Sequence, residues 1–275
     1  MALKYIYSGY MKCGTKTMAE AFRILGYKVC DFHETGLDCG DAWLDFFNPE
    51  NDAEAKKTIL YNMLKDYDIV FDRPAFMYWK ELLEVFPAAK CIFFERDEQE
   101  WYESYKNFTD MHAEVGLISD MVLSKKYPCW FTRLFVRCFH PKLLKVYVLH
   151  DKMEPLTVGE SCFHFRNWYG KRVVHSEINI RRAYRQHNAD FVRNCPKNRR
   201  LILPEIGCGW KFLCDFLGCD QPMNIEFPHE NKGGSLARKT VGKVAQYKRD
   251  AIRDRLIGMV GFGLLCGYFG RKFLR

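Results

Sequence analysis

A short β-rich run, residues 4–8 (KYIYS), passes through a glycine-bracketed turn, Gly9 to Gly14, straight into a helical pattern. In that pattern Met18, Phe22 and Leu25 recur at i, i+4 and i+7. No other stretch so narrows what the chain can fold into. A strand that ends in such a turn and re-enters as a helix aims the turn's backbone N–H groups at one point. The positive end of the helix dipole faces the same point, so the arrangement favours an anion there. Thr15 and Thr17 add hydroxyl donors near the helix start, and Lys12 and Lys16 add positive charge.

The rest of the chain repeats the alternation. Residues 27–32, 68–72 (DIVFD), 89–95 (AKCIFFE) and 200–203 read as strands, with 89–95 the strongest. Residues 53–65, 76–86, 98–108 and 176–194 read as helices, as does 210–217, which Gly218 closes as a C-cap. Residues 38–52 read as a loop that packs Trp43, Phe46 and Phe47. Strands alternating with helices predict βαβ units: an α/β domain with a central parallel sheet flanked by helices. Residues 1–235 form this domain, and 110–175, with Pro128, Pro141, Pro155 and many aromatics, is a helical and loop insertion over the sheet. Residues 236–275 are a helical tail.

A hydrophobic share of 48% suffices for a large core in 275 residues. The net charge of +8 comes without a long basic block or a nucleic-acid motif, so small polyanions or an anionic membrane surface are the expected partners, not nucleic acid. The twelve cysteines include no C-x-x-C pair and no zinc-finger spacing, and most lie in apolar contexts such as Cys91 and Cys138. No metal is expected. Reduced thiols, and a first strand that begins almost at Met1 with no signal peptide before it, point to the cytoplasm. The uncharged run from Leu256 to Phe269, flanked by Arg253, Arg255, Arg271 and Lys272, is short for a span yet suits membrane attachment.

Gly9 and Gly14 have the spacing of a G-x-x-x-x-G-K-[ST] nucleotide loop, but Thr15 intervenes before Lys16 and Thr17. The run Lys12-Cys13-Gly14-Thr15-Lys16-Thr17 instead resembles the K-x-G-T-x-x loop of P-loop sulfotransferases. Residues 89–105 resemble that family's 3′-phosphate motif, a strand ending in Arg96 with Ser104 eight residues later. Several blocks are similar to the fungal and invertebrate subfamily. They are Asp72-Arg73-Pro74-Ala75, Leu25-Gly26-Tyr27 with His33, Tyr184 with His187, Pro196 ahead of Arg200-Leu201, residues 209–218 (GWKFLCDFLG) and residues 227–231 (FPHEN). Many members carry arginine where this chain has Lys12. The resemblance covers residues 4–232, with a poor match between 110 and 175.

The resemblance implies a sulfotransferase that moves a sulfuryl group from 3′-phosphoadenosine 5′-phosphosulfate (PAPS) to a hydroxyl or amine. The acceptor would be a small molecule, a glycan or a lipid, and the insertion at 110–175 would define it. The loop amides of Lys12, Cys13 and Gly14, with Thr15, Lys16 and Thr17, would hold the 5′-phosphate. Lys12 would stabilise the leaving oxygen, and Arg96 and Ser104 would take the 3′-phosphate. Lys232, in Lys232-Gly233-Gly234, would close on the cofactor. The acceptor must lose a proton, and three residues at strand ends could take it: His33, Asp72 and Glu34. Two other readings stand beside this one: a P-loop kinase or NTPase, with Asp72 imitating a Mg²⁺ ligand, and an inactive sulfotransferase-like scaffold.

Overall fold

The computed structural model describes residues 2–108 and 176–229. Five strands form one sheet: β1 (Tyr5–Tyr7), β2 (Val29–Cys30), β3 (Ile69–Val70), β4 (Lys90–Phe93) and β5 (Arg200–Ile202). Their order is β2-β3-β1-β4-β5, and every neighbouring pair runs parallel. All strand carboxyl ends therefore share one edge. The helices are α1 (Thr15–Ile24), α2 (Phe32–Leu37), α3 (Gly40–Phe46), α4 (Ala53–Leu64), α5 (Trp79–Val85), α6 (98–108), α7 (Glu177–Asn194) and α8 (Gly209–Leu217).

Side chains alternate across the pleat and sort the helices between two cores. Tyr5, Tyr7, Ile69, Phe71 and Ile92 face Met18 and Phe22 of α1 and Trp210 and Leu213 of α8. Ile6, Val70, Cys91 and Phe93 face the opposite way, onto Trp43, Leu60, Leu64, Leu82 and Phe191 of α3, α4, α5 and α7. Phe93 and Phe191 stack with centroids 4.3 Å apart, tying α7 to the sheet. Truncating either ring would cost about 3–5 kcal/mol. The helix after β1 thus lies on one face, and α3, α4, α5 and α7 lie on the other. Where adjacent connections diverge like this, a crevice opens beyond the strand ends, and parallel sheets bind ligands there. The turn of Gly9 to Gly14 lies in that position.

Three segments differ from the sequence expectation. The second strand stops at Cys30, because Asp31 caps α2: Asp31 and Glu34 form a reciprocal capping box, with the Asp31 N–H donating to Glu34 Oε2 at 3.0 Å. Phe32, His33 and Glu34 are therefore the first turn of a helix, not a strand end. Residues 40–46 are helical instead of loop, since Trp43 and Phe46 share a helical face that the core buries to 0% and 5% exposure. The stretch after Pro74 splits into a 3-10 turn (Ala75–Tyr78) and α5.

The eight described cysteines are free thiols. Among the described residues no helix is long and apolar enough to cross a membrane. The insertion at 110–175, Lys232 and the run from Leu256 to Phe269 lie outside the described residues.

Candidate functional site

The turn between β1 and α1 is held from below. The Tyr7 hydroxyl donates to the Cys13 carbonyl, and the Cys13 N–H donates to the Tyr10 carbonyl at 3.1 Å. Tyr7 itself stacks on Phe71 at 5.0 Å. Gly14, at φ 74°, is the N-cap of α1; a Cβ there would sit 2.0 Å from Ile206 Cδ1. Lys12 also has a positive φ, 70°, a left-handed conformation that costs a long side chain energy and that the surrounding packing enforces. No side chain caps α1, and its first turn carries no acidic residue. A helix start without a side-chain cap or an acidic residue favours an anion. Thr15 and Thr17 are buried in that first turn.

The charged residues line up along the sheet edge in strand order: Asp31 after β2, Asp72 after β3, the Lys12 turn after β1 and Arg96 after β4. Lys16 reaches across the acidic side. Its ammonium lies 2.7 Å from both Asp31 oxygens and 3.6 Å from Asp72 Oδ2. Arg23 approaches Asp31 at 3.9 Å and Glu34 at 3.6 Å. Burial raises the Asp31 carboxyl above its ordinary value; Lys16 opposes this and Asp72 adds to it. Lys12 is different. Its ammonium lies over the Phe108 ring at 4.8 Å, and among the described residues no carboxylate pairs with it within 4.0 Å. Burial lowers its pKa from the ordinary 10.5, Asp72 opposes that shift, and Arg96 and Lys16 reinforce it. A partly desolvated cation with other cations near it is a place where an anion gains most.

Arg96 closes the basic side. Its Nε donates to Glu100 at 3.3 Å, and it is half-buried. Its backbone is fixed by Tyr184 of α7, whose hydroxyl donates to the Arg96 carbonyl at 2.6 Å and accepts from the Arg96 N–H at 3.0 Å. Trp101 of α6 stacks on Tyr184 at 4.0 Å and donates its indole N–H to the Met11 carbonyl at 2.9 Å. His187, one turn along α7, donates Nε2–H to the Ser8 carbonyl at 2.8 Å; a carbonyl only accepts, which fixes the tautomer.

Of the residues expected from sequence, Lys12, Cys13 and Gly14 lie in the turn after β1, Thr15 and Thr17 begin α1, and Asp72 and Arg96 follow the neighbouring strands β3 and β4. Ser104 sits half-buried on α6, which begins just after Arg96. Lys16 shares the turn but gives its ammonium to Asp31 and Asp72. His33 is exposed on α2, and Glu34 is engaged in the capping box and with Arg23. Among the described residues no group of three or more His, Cys, Asp or Glu side chains could hold a metal ion. Asp31, Trp101 and the Tyr184 hydroxyl were not assigned roles from sequence. Asp31 followed by Glu34 three residues later is a capping-box signature that marks the start of α2. Tyr184 gives no local signal, because its partner lies 88 residues away.

The comparisons with known proteins bear on this edge as a whole. The family model for the sulfotransferase domain matches residues 4–236. The Ava biosynthesis cluster protein M of Aspergillus versicolor is 25% identical over 235 residues, which is 82% of this chain and 80% of that protein. The match with the family model takes in every strand of the sheet, the turn before α1 and the Arg96 turn, and on that basis the chain belongs to the sulfotransferase domain family.

Proposed function

We propose that the protein is a PAPS-dependent sulfotransferase acting on a hydroxyl or amine acceptor. The observation that carries this reading is Lys12, partly desolvated and without a carboxylate partner among the described residues, on a turn beside the Arg96 turn, at the ends of adjacent parallel strands. Two anion-accepting turns side by side suit a nucleotide with phosphates on both its 5′ and 3′ positions, and the first turn of α1, with no side-chain cap and no acidic residue, suits the 5′ one. Bound PAPS would supply the sulfuryl group and a bisphosphate leaving group.

Each residue then has a task. The first-turn amides of α1, with Thr15 and Thr17, hold the 5′-phosphate. Lys12 neutralises charge that develops on the leaving oxygen, as a preorganised cation in a poorly solvated site. Arg96 and Ser104 take the 3′-phosphate. Asp72 accepts the acceptor's proton. It follows β3, the strand next to β1, and keeps 15% of its side chain accessible. His33 and Glu34 belong to α2, beyond β3, and Glu34 is already engaged. Lys16 spaces the two carboxylates Asp31 and Asp72 and limits their mutual repulsion. The acceptor, a small molecule, glycan or lipid, enters over the acidic side of the edge.

The test is transfer of label from ³⁵S-PAPS to a panel of phenols, alcohols, amines, glycans and lipid headgroups, with wild type and Asp72→Asn. Transfer to at least one acceptor, lost in the variant, is expected. Absence of transfer across the panel, with PAPS hydrolysis also absent, would contradict the enzyme reading.

A further inference from the structure

Turns at a strand edge fluctuate unless something ties them down. Here one hydroxyl joins the turn after β1 and the turn after β4. Tyr184 is 1% exposed, and its oxygen donates to the Arg96 carbonyl (2.6 Å) and accepts from the Arg96 N–H (3.0 Å). The Cys13 sulfur lies 3.9 Å from the same oxygen. Burial pushes the Cys13 thiol up to about 12, and with the Tyr184 proton given to the Arg96 carbonyl the thiol is the donor in this contact. The phenol proton and its lone pairs are thus engaged with both turns.

The ring is fixed as firmly as the hydroxyl. Trp101 stacks on it at 4.0 Å and 10°, and the Trp101 indole N–H holds the Met11 carbonyl of the first turn at 2.9 Å. Tyr10 meets Trp101 and Tyr184 edge-on at 5.5 and 5.6 Å. Residues of the first turn (Tyr10, Met11, Cys13), of the second turn and its helix (Arg96, Trp101) and of α7 (Tyr184) thus form one bonded unit.

We propose that Tyr184 is a positioning residue that sets the Arg96 turn at a fixed offset from the Cys13 turn, so that preference for a nucleotide bearing a 3′-phosphate depends on α7. This rests on the nucleotide reading above and adds to it a residue that need not touch the ligand. A guanidinium whose backbone is pinned meets a phosphate without first being ordered, and that pre-organisation is what binding gains. Freeing the Arg96 backbone weakens the 3′-phosphate contact, while the 5′-phosphate, held by α1 and its turn, is little affected.

The experiment is calorimetric titration of wild type, Tyr184→Phe and Trp101→Phe with adenosine 3′,5′-bisphosphate and with adenosine 5′-monophosphate. Amide hydrogen exchange across residues 94–98 is followed in parallel. Tyr184→Phe keeps the stacked ring and removes only the hydroxyl. It is expected to weaken bisphosphate binding about tenfold, the equivalent of one hydrogen bond to a charged-ligand frame, and to leave monophosphate binding within about twofold. Exchange at 94–98 should rise. Trp101→Phe frees the Met11 carbonyl of the first turn and should weaken both nucleotides, which makes it the control for a loosened first turn. Should Tyr184→Phe not fold, exchange in wild type carries the test: the Arg96 N–H, bonded to the Tyr184 hydroxyl, must be as protected as the core of α7, and fast exchange there overturns the positioning role. In Tyr184→Phe an undiminished bisphosphate preference, or equal losses for both nucleotides, overturns the positioning role alone. A wild type that binds the bisphosphate no better than the monophosphate overturns the nucleotide reading, and this inference with it.

Discussion

The ammonium of Lys16 lies 2.7 Å from both carboxylate oxygens of Asp31, joining the second residue of α1 to the residue that caps α2. Asp31 is 3% exposed and Lys16 keeps 20% of its side chain accessible, so the carboxylate is buried and the pair part-buried. It explains how a turn rich in lysines can have one cation spent on structure and another, Lys12, without a carboxylate partner among the described residues. Losing Lys16 should strand a buried carboxylate. Lys16→Met is expected to lower the unfolding free energy by about 3–5 kcal/mol, and Asp31→Asn added to it should restore a large part. Urea denaturation of the single and double variants reads this directly; a single-variant cost below about 1 kcal/mol would mean the pair is screened like a surface one.

Lys12 should behave in the opposite way. Lys12→Ala is expected to lower kcat by about 10²–10³ with a smaller change in nucleotide affinity, as for loss of one preorganised charge-stabilising donor. Lys12→Met, which keeps the stem and removes the buried charge, should raise the stability of the ligand-free protein by about 0.5–2 kcal/mol. Because burial lowers the Lys12 pKa below 10.5, the folded chain gives up this proton first as pH rises. The penalty in wild type is therefore full at neutral pH and fades between the lowered value and 10.5. Thermal melts of both proteins from pH 7 to 10 should converge; melts that stay parallel would contradict the buried charge.

His187 supplies a second pH dependence. Burial holds its imidazole below the ordinary 6.5, with Lys80 in the same direction and the Ser8 carbonyl and Asp190 opposing. The unfolded chain takes up the proton first, so stability should fall as pH drops below about 6.5. His187→Gln can still donate an N–H towards Ser8 and cannot titrate. Its melting temperature should change less than that of wild type between pH 7 and 5, and identical slopes would remove His187 as the source.

Gly14 is held by both conformation and space. A side chain at φ 74° costs roughly 1–2 kcal/mol, and its Cβ would overlap Ile206 at 2.0 Å. Gly14→Ala is expected to destabilise the fold by more than the backbone cost and to abolish nucleotide binding. Ile206→Ala in addition should return stability but not all of the binding, since the backbone mismatch remains.

The parallel sheet was legible because each strand carries a short β-branched or aromatic run set between helical periods, as in residues 89–95. The turn from Lys12 to Thr17 was legible because glycine spacing is a local constraint on backbone. Two things were not. A helix over Gly40–Phe46 is stabilised by burial of Trp43 rather than by its own propensity, and burial is a property of the assembled chain. The pairing of Lys16 with Asp31, and of Tyr184 with Arg96, joins residues 15 and 88 positions apart, which no periodicity encodes. The sequence could supply the list of charges at the edge; only the strand order could divide them into an acidic and a basic side.

The central claim is that the edge between β1 and β4 recognises a nucleotide by phosphates at both ends of its ribose. The most direct measurement is calorimetric titration of wild type and Arg96→Ala with adenosine 3′,5′-bisphosphate and with ATP, each with and without Mg²⁺. The expected result is tight, Mg²⁺-independent binding of the bisphosphate and weak binding of ATP. In Arg96→Ala a loss of about 1.5–3 kcal/mol, roughly tenfold to hundredfold, should fall on the bisphosphate alone. ATP bound as tightly as the bisphosphate and only with Mg²⁺, or an Arg96→Ala variant that keeps the full preference, would contradict it.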